Sequence, residues 1–259
     1  MLEVLGGALV GLSLGLMGAG GAILSIPIFT LVLGHAIVVA KIEALAVTAA
    51  IAVFSATRAA IARDVDLPRF AAFAVPGFFG AWLGGPIAKM TPPLAQASLF
   101  GALALVAAWR MTVSQKGSES TELPKLTPRS IALAAATGLV IGILTSVIGV
   151  GGGFLLVPAL VLFANLPIKR AAGTSLLVIA VNSGVGVAAS GVYQRDAFDL
   201  VDWNAVSIVA VCGVVGSVFG ARFAARLPAA VLKRIFAVVL VLVALVVVLK
   251  ESGLLPSGA

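Results

Sequence analysis

The sequence predicts an all-α polytopic membrane protein built of two inverted repeats, each a glycine-tipped broken hairpin followed by three transmembrane helices. Three observations lead there. The 259 residues are 61% hydrophobic and only 10% charged, with a mean hydropathy of +1.19, which leaves too little polar surface to coat a soluble protein. Charge-free runs at 4–40, 44–57, 70–88, 90–109, 130–168, 171–194, 203–221 and 235–249 mostly approach the ~20 residues a helix needs to cross hydrocarbon. Finally, GLSLGLMGAGGAILSIP, from Gly11 to Pro27, returns 131 residues later as GILTSVIGVGGGFLLVP, from Gly142 to Pro158.

The duplication extends beyond that stretch. Gly7, Ala40 and Leu45 fall on Gly138, Ala171 and Leu176 at the same offset of 131, and Asp66, Gly77, Gly80, Gly84, Pro92 and Phe100 fall on Asp202, Gly213, Gly216, Gly220, Pro228 and Phe236 at an offset of 136. Two constant offsets across so many positions mark an internal repeat, with five residues inserted before Asp202.

The elements follow in order. The N-terminus, MLEV, has no basic n-region or small-residue cleavage pattern, so the first apolar run reads as mature protein. Runs 4–40 and 130–168 are too long for single crossings, since nearly forty residues at ~1.5 Å each reach far beyond the hydrocarbon. Gly18, Gly20 and Gly21 in one copy, and Gly149, Gly151, Gly152 and Gly153 in the other, sit mid-run, where each glycine costs a helix about 1 kcal/mol relative to alanine. Each run therefore breaks there. Full helices are expected at 37–60, 68–90 and 92–111 in the first repeat (residues 1–111), and at 168–194, 202–225 and 229–250 in the second (129–259). The polar stretch 112–128, with QKGSESTELPKLTP, reads as a cytoplasmic tether.

Charge decides between a kink and a hairpin. With hairpins, thirteen of the seventeen Lys and Arg residues fall on the cytoplasmic side, leaving Lys41, Lys89, Arg195 and Lys250 outside; with single kinked crossings the split is nine to eight. The positive-inside rule selects hairpins. They enter from opposite faces, the repeats are inverted, and both termini lie outside.

Opposed half-helices bring the two glycine tips toward the bilayer midplane, where exposed backbone demands a wet cavity or a ligand. A helix leaving such a tip directs unpaired N–H groups and the positive end of its dipole inward, which attracts an anion. Substrate-binding candidates are therefore Gly18, Gly20, Gly21, Gly149, Gly151, Gly152 and Gly153. In the next helix Thr174, Ser175 and Asn182 supply donors without fixed charge, with Ser183 beside them and Thr48 and Ser55 in the corresponding helix of the first copy. Lys41 and Glu43 are candidates for coupling or gating, Glu43 as a proton carrier, although the stem of Lys41 also suits snorkelling to the interface. Gly77, Gly80 and Gly84, at spacings of three and four, belong to one helix face and read as packing contacts.

Other classes are excluded. The net charge of +7 is scattered over short loops, where topology explains it better than nucleic acid does. One histidine, His35, and one cysteine, Cys212, cannot assemble a metal cluster; Cys212 reads as packing and His35 as interfacial. GVGGG lacks the strand of a dinucleotide site, and GxxxxGK[ST] is absent. A hydrolase would need a base beside a nucleophile at membrane depth, which a lone surface histidine does not supply. No cofactor is called for. Small-residue faces permit a homo-oligomer without demanding one.

The pattern GxGGxxxxxP in each half, followed in the second by AAGTSL at 171–176, resembles the TauE/SafE sulfite exporter family over essentially the whole chain. The resemblance implies a secondary transporter that moves sulfite, sulfonates or related small sulfur-containing anions across the bacterial inner membrane, with no enzymatic activity. It nominates Gly18, Gly20, Gly21, Gly149, Gly151, Gly152, Thr174 and Ser175. The first copy departs from it, with AKIEAL at 40–45 in place of AAGTSL, so ligand donors are expected mainly from the second half. The remaining alternative is an anion channel, which uses the same dipoles without saturable exchange.

Overall fold

The computed structural model of the chain describes residues 2–17, 21–92, 127–148, 153–162 and 166–228, with single positions between 95 and 109 and between 231 and 245. Helix α1 (Leu2–Met17) and α2 (Gly21–Pro27) lead into a turn of π-helix (Ile28–Val32), followed by α3 (Ile37–Ile61) and α4 (Leu67–Met90). Then come α5 (Pro128–Ile148), α6 (Gly153–Leu162), α7 (Ile168–Tyr193), the single turn α8 (Arg195–Phe198) and α9 (Trp203–Ala224). Helices α3, α4, α5, α7 and α9 are long and apolar enough to cross a membrane, and the protein is a multi-pass helical membrane protein. The tether and most of the expected helices 92–111 and 229–250 lie outside the described residues.

Local chemistry explains the boundaries. Pro27 can neither donate to the helix ladder nor fit its ring beneath the preceding turn, and α2 widens into the π-turn directly after it. Gly34 then takes φ +74, a left-handed conformation that favours glycine, and the chain reverses into α3. Asp66 caps α4, its Oδ1 accepting the Arg69 N–H at 2.9 Å, and Asp202 caps α9 through the N–H groups of Asn204 and Ala205. Two aspartates aligned by the repeat thus start the two corresponding helices.

The helices are held by two glycine seams. A Cβ built on Gly11 would lie 1.8 Å from the Gly213 carbonyl oxygen, and one on Gly142 would lie 2.2 Å from that of Gly77. Gly216 and Gly220 press on the carbonyls of Ala8 and Leu12, as Gly80 and Gly84 press on those of Leu139 and Ile143. Each of these glycine contacts in the α1/α9 seam has a repeat-related counterpart in the α4/α5 seam. Each seam joins the first helix of one half to the fourth helix of the other, so the halves exchange partners. Opposite the seams, α4 exposes Val75, Phe79 and Leu83, and α9 exposes the aligned Val211, Val215 and Phe219, apolar stripes suited to lipid.

Contact register gives the directions. Gly7, Gly11 and Gly15 meet Val209, Gly213 and Ser217 in rising order, so α1 and α9 are parallel. Glu43, Ile51 and Ser55 of α3 meet Asp202, Gly213 and Ser217 in the same order. Likewise α4, α5 and α7 run together, through Thr174 to Asp66, Asn182 to Gly77, and Gly138 to Phe73. The central helices α3 and α7 are antiparallel, since Gly186 rests on Leu45 while Gly173 rests on Ala59.

Gly11→Ala is expected to destabilise the protein by about 1–3 kcal/mol through overpacking against main chain that cannot move aside. Gly184→Ala, with nothing within 4 Å of the added methyl, is expected to raise stability by up to ~1 kcal/mol. Thermal unfolding of the purified variants checks both.

Candidate functional site

The two central helices each clasp the start of a parallel neighbour. Thr174 Oγ1 accepts the Asp66 N–H at 3.0 Å, and Glu43 Oε1 accepts the Asp202 N–H at 3.0 Å. Positions 43 and 174, and positions 66 and 202, are counterparts under the two repeat offsets, so this is one bond made twice with different side chains. The neighbouring residue sets the reach required. Gly173 lets the Asp64 carbonyl approach to 2.3 Å from where a Cβ would lie, which brings the loop within range of a short threonine. Ile42 occupies the counterpart position, and there the longer Glu43 carboxylate makes the bond. Glu43 is fully buried, and its Oε2 lies 2.7 Å from Nδ1 of His35.

Between the clasps, buried polar side chains lie along α3, α7 and the neighbouring α1. Ser13, Thr48, Asn182 and Ser183 are buried, and the Asn182 amide and the Ser13, Thr48 and Ser183 hydroxyls have no hydrogen-bond partner in the structure. Ser55 donates to Ser217 Oγ at 3.2 Å, about two turns beyond Thr48 on α3. Asn182 lies over Gly77, whose added Cβ would be 3.0 Å from Oδ1 and 3.1 Å from Nδ2. Its counterpart Ile51 lies over Gly213 in the same way. An amide thus occupies one of two matched positions where an aliphatic side chain already fits, at the desolvation cost of two unpaired polar atoms.

Two cavities lie at opposite ends of the α3/α7 pair. One, of about 560 Å³, lies between the start of α3 and the end of α7, with Lys41, Ser146, Ser190, Tyr193, Arg195 and Asp196 in its lining. The other, of about 320 Å³, lies between the end of α3 and the start of α7, with Ser55, Arg58, Asp64, Lys169 and Arg222 in its lining. The walls correspond: Ser146, Val147, Leu45 and Ser190 of the first are counterparts of Gly15, Leu16, Leu176 and Ala59 of the second. The cations do not correspond. Lys41 aligns with Ala172, Arg58 with Ala189, Lys169 with Val38 and Arg222 with Pro86, while Arg195 belongs to the loop carrying the insertion. Positive charge was supplied to each cavity separately, so it is not simply inherited from the duplication.

The residues nominated from sequence are therefore spread along the molecule. Gly18, Gly20, Gly149, Gly151 and Gly152 lie outside the described residues, while Gly21 and Gly153 open α2 and α6. Thr174 and Ser175 sit near the start of α7 beside Asp66, with the Ser175 hydroxyl donating to the Ala172 carbonyl. Asn182 is at the centre, about 12 Å farther along the helix at ~1.5 Å per residue. Lys41 and Glu43 sit at the opposite end. Sequence reasoning missed Ser13, Arg195 and the contact of His35 with Glu43. Ser13 carried a signal, as a hydroxyl within the repeated stretch; the other two depend on how a loop folds back.

The sulfite exporter TauE/SafE family model matches residues 3–247. A probable membrane transporter protein of Xylella fastidiosa strain 9a5c is 31% identical over 249 residues, covering 93% of this chain and 92% of the relative. The probable membrane transporter protein YdhB of Bacillus subtilis is 29% identical over 241 residues, covering 90% and 94%. No solved structure matches the chain.

Thr174→Val is expected to destabilise the protein by ~1–3 kcal/mol, because the buried Asp66 N–H loses its acceptor. Asn182→Leu, nearly isosteric, is expected to leave thermal stability unchanged or slightly raised, since it removes buried polar atoms that have no partner. Unfolding curves of the two variants in detergent should separate in opposite directions from wild type.

Proposed function

The chain belongs to the sulfite exporter TauE/SafE family, and from that premise we propose that this membrane transporter is a secondary exporter of small sulfur-containing oxyanions, sulfite or organosulfonates, across the bacterial inner membrane. One observation carries the reading: two separately charged basic cavities lie at opposite ends of the α3/α7 pair, and buried hydroxyls and an amide without partners lie along the helices between them. Cationic mouths concentrate anions. Neutral donors then bind an oxyanion without the permanent charge that would hold it too tightly for release.

In this reading the repeats are inverted, the Arg58 cavity faces the cytoplasm and the Lys41 cavity faces outward. Support comes from the distribution of charge: Arg58, Arg63, Arg69, Lys169, Arg170 and Arg222 gather at one end of the antiparallel α3/α7 pair, as the positive-inside rule expects of a cytoplasmic face. Neither of these cavities reaches Asn182, so passage requires one half to rock against the other, opening the centre to each side in turn. On the expectation from sequence that the glycine breaks turn the N-termini of α2 and α6 inward, Gly21 and Gly153 join Asn182, Thr48 and Ser183 around the anion. A membrane potential negative inside contributes ~2.3 kcal/mol per charge per 100 mV toward export. Lys41 lines the outward cavity as a gating residue.

Purified protein is expected to bind sulfite, thiosulfate or sulfoacetate in preference to sulfate and chloride, and Asn182→Leu is expected to lose that binding at least tenfold while remaining folded. Reconstituted protein should show saturable counterflow of the bound anion. Uptake linear in concentration, without counterflow, would establish a channel instead. Binding indifferent to Asn182→Leu would overturn the assignment of the centre.

A further inference from the structure

The two clasps differ in one chemical respect. Thr174 holds the Asp66 N–H with a hydroxyl that does not titrate, whereas Glu43 holds the Asp202 N–H with a carboxylate whose second oxygen touches an imidazole. The Glu43 side chain is fully buried, while that of His35 is 24% exposed. His35 itself is fixed by its N–H donating to the Phe29 carbonyl at 2.9 Å, and its ring lies against that of Phe29. The pair thus joins the solvent at one end of the molecule, through a half-buried ring, to a carboxylate that holds the start of α9.

Few other charges bear on this pair. Of the elements packed against α3, α2 and the π-turn carry none and α1 carries Glu3. At this end α7 contributes Tyr193, α8 contributes Arg195 and Asp196, and the turn after it contributes Asp199. The cap residue Asp202 has its Oδ1 engaged by two backbone N–H groups of its own helix. On α3 itself, Lys41 lies two residues before Glu43. The imidazole is the group in contact with the buried carboxylate, so its charge state governs how well that carboxylate is compensated.

We propose that His35 and Glu43 form a proton-binding site open to the outer side, and that protonation there locks the α3/α9 clasp and slows transport. With a neutral imidazole the pair carries one net negative charge, with the imidazole and the Asp202 N–H against its two oxygens. With imidazolium it becomes a charge-assisted ion pair of zero net charge, a stronger contact in a dry setting. Glu43 then holds Asp202, and with it the head of α9, more firmly beside the outward cavity. The threonine clasp at the other end has no such response. Sensitivity to pH therefore belongs to one face only, and it rests on the transport function and orientation proposed above.

Two experiments separate this inference from its premise. Proteoliposomes holding wild-type protein, clamped at fixed internal pH, are assayed for thiosulfate transport as external pH falls from about 8 to about 5, the interval in which an imidazole changes charge. Thiosulfate keeps its own charge there. The rate is expected to fall several-fold in wild type and less than twofold in Glu43→Gln, which retains an acceptor for Asp202 and a donor for His35, and in His35→Asn. A flat wild-type profile, or an undiminished fall in both variants, overturns the proposal.

Because His35 is the only histidine, a ¹⁵N-histidine magic-angle spinning spectrum of the same vesicles reports it alone, with no need for transport. The imidazole signal is expected to respond to the outer buffer and not the inner one, and to be displaced in Glu43→Gln. A signal blind to the outer buffer overturns the site. Absence of thiosulfate flux under every condition would count against the transport reading, while the spectrum still decides whether this pair binds protons from outside.

Discussion

The constraint on which this molecule depends is the approach of main chain to main chain along two glycine seams. Lipid gives helices no hydrophobic reason to associate, so close packing must supply the attraction, and a Cβ at Gly11, Gly142, Gly80 or Gly220 would fall 1.8–2.2 Å from a neighbouring carbonyl oxygen. The seams do more than glue α1 to α9 and α4 to α5. They place Gly213 and Gly77 beneath the central helices, so that Ile51 and Asn182 rest directly on glycine. The depth at which Asn182 and Ile51 sit is thus fixed by the glycines beneath them.

Duplication supplies the scaffold, and chemistry enters where the duplication is broken. Helix caps, seams and lipid-facing stripes recur at constant offsets. Against that background Asn182 replaces isoleucine, Glu43 replaces threonine, Gly173 replaces Ile42, and every cation named in the two cavities lacks a basic counterpart. Buried polar groups without partners are expensive in any protein, and in a membrane they mark function more often than structure. Their confinement to departures from the repeat argues that they serve transport and are not needed to hold the fold.

Most of the fold was legible in the sequence because membrane helices end where charge, proline or a capping aspartate requires it. The expected 37–60 and 168–194 are observed as 37–61 and 168–193, bounded by the His35 and Pro167 turns on one side and by Asp64 and Gln194 on the other. The packing role of Gly77, Gly80 and Gly84 followed from their spacing. The exchange of partners between halves did not, since nothing local says that the first helix of one repeat will choose the fourth of the other. Nor did the clasps: only the loop folding back onto Gly173 reveals the bond from Asp66 to Thr174. His35 read as a surface residue because its contact with Glu43 depends on the π-turn and the left-handed Gly34. The glycine tips 18–20 and 149–152 remain an expectation from sequence.

The central claim is that two matched cavities open to opposite sides of the membrane. Ala59 and Ser190 are counterparts, one in each lining, and Cys212 is the only native cysteine to replace. Single cysteines at these two positions, probed with an impermeant maleimide in right-side-out and inside-out vesicles, test the claim most directly. The account predicts labelling of position 190 from outside only and position 59 from inside only, with a transported anion shifting the two rates in opposite directions. Labelling of both from the same side would contradict it.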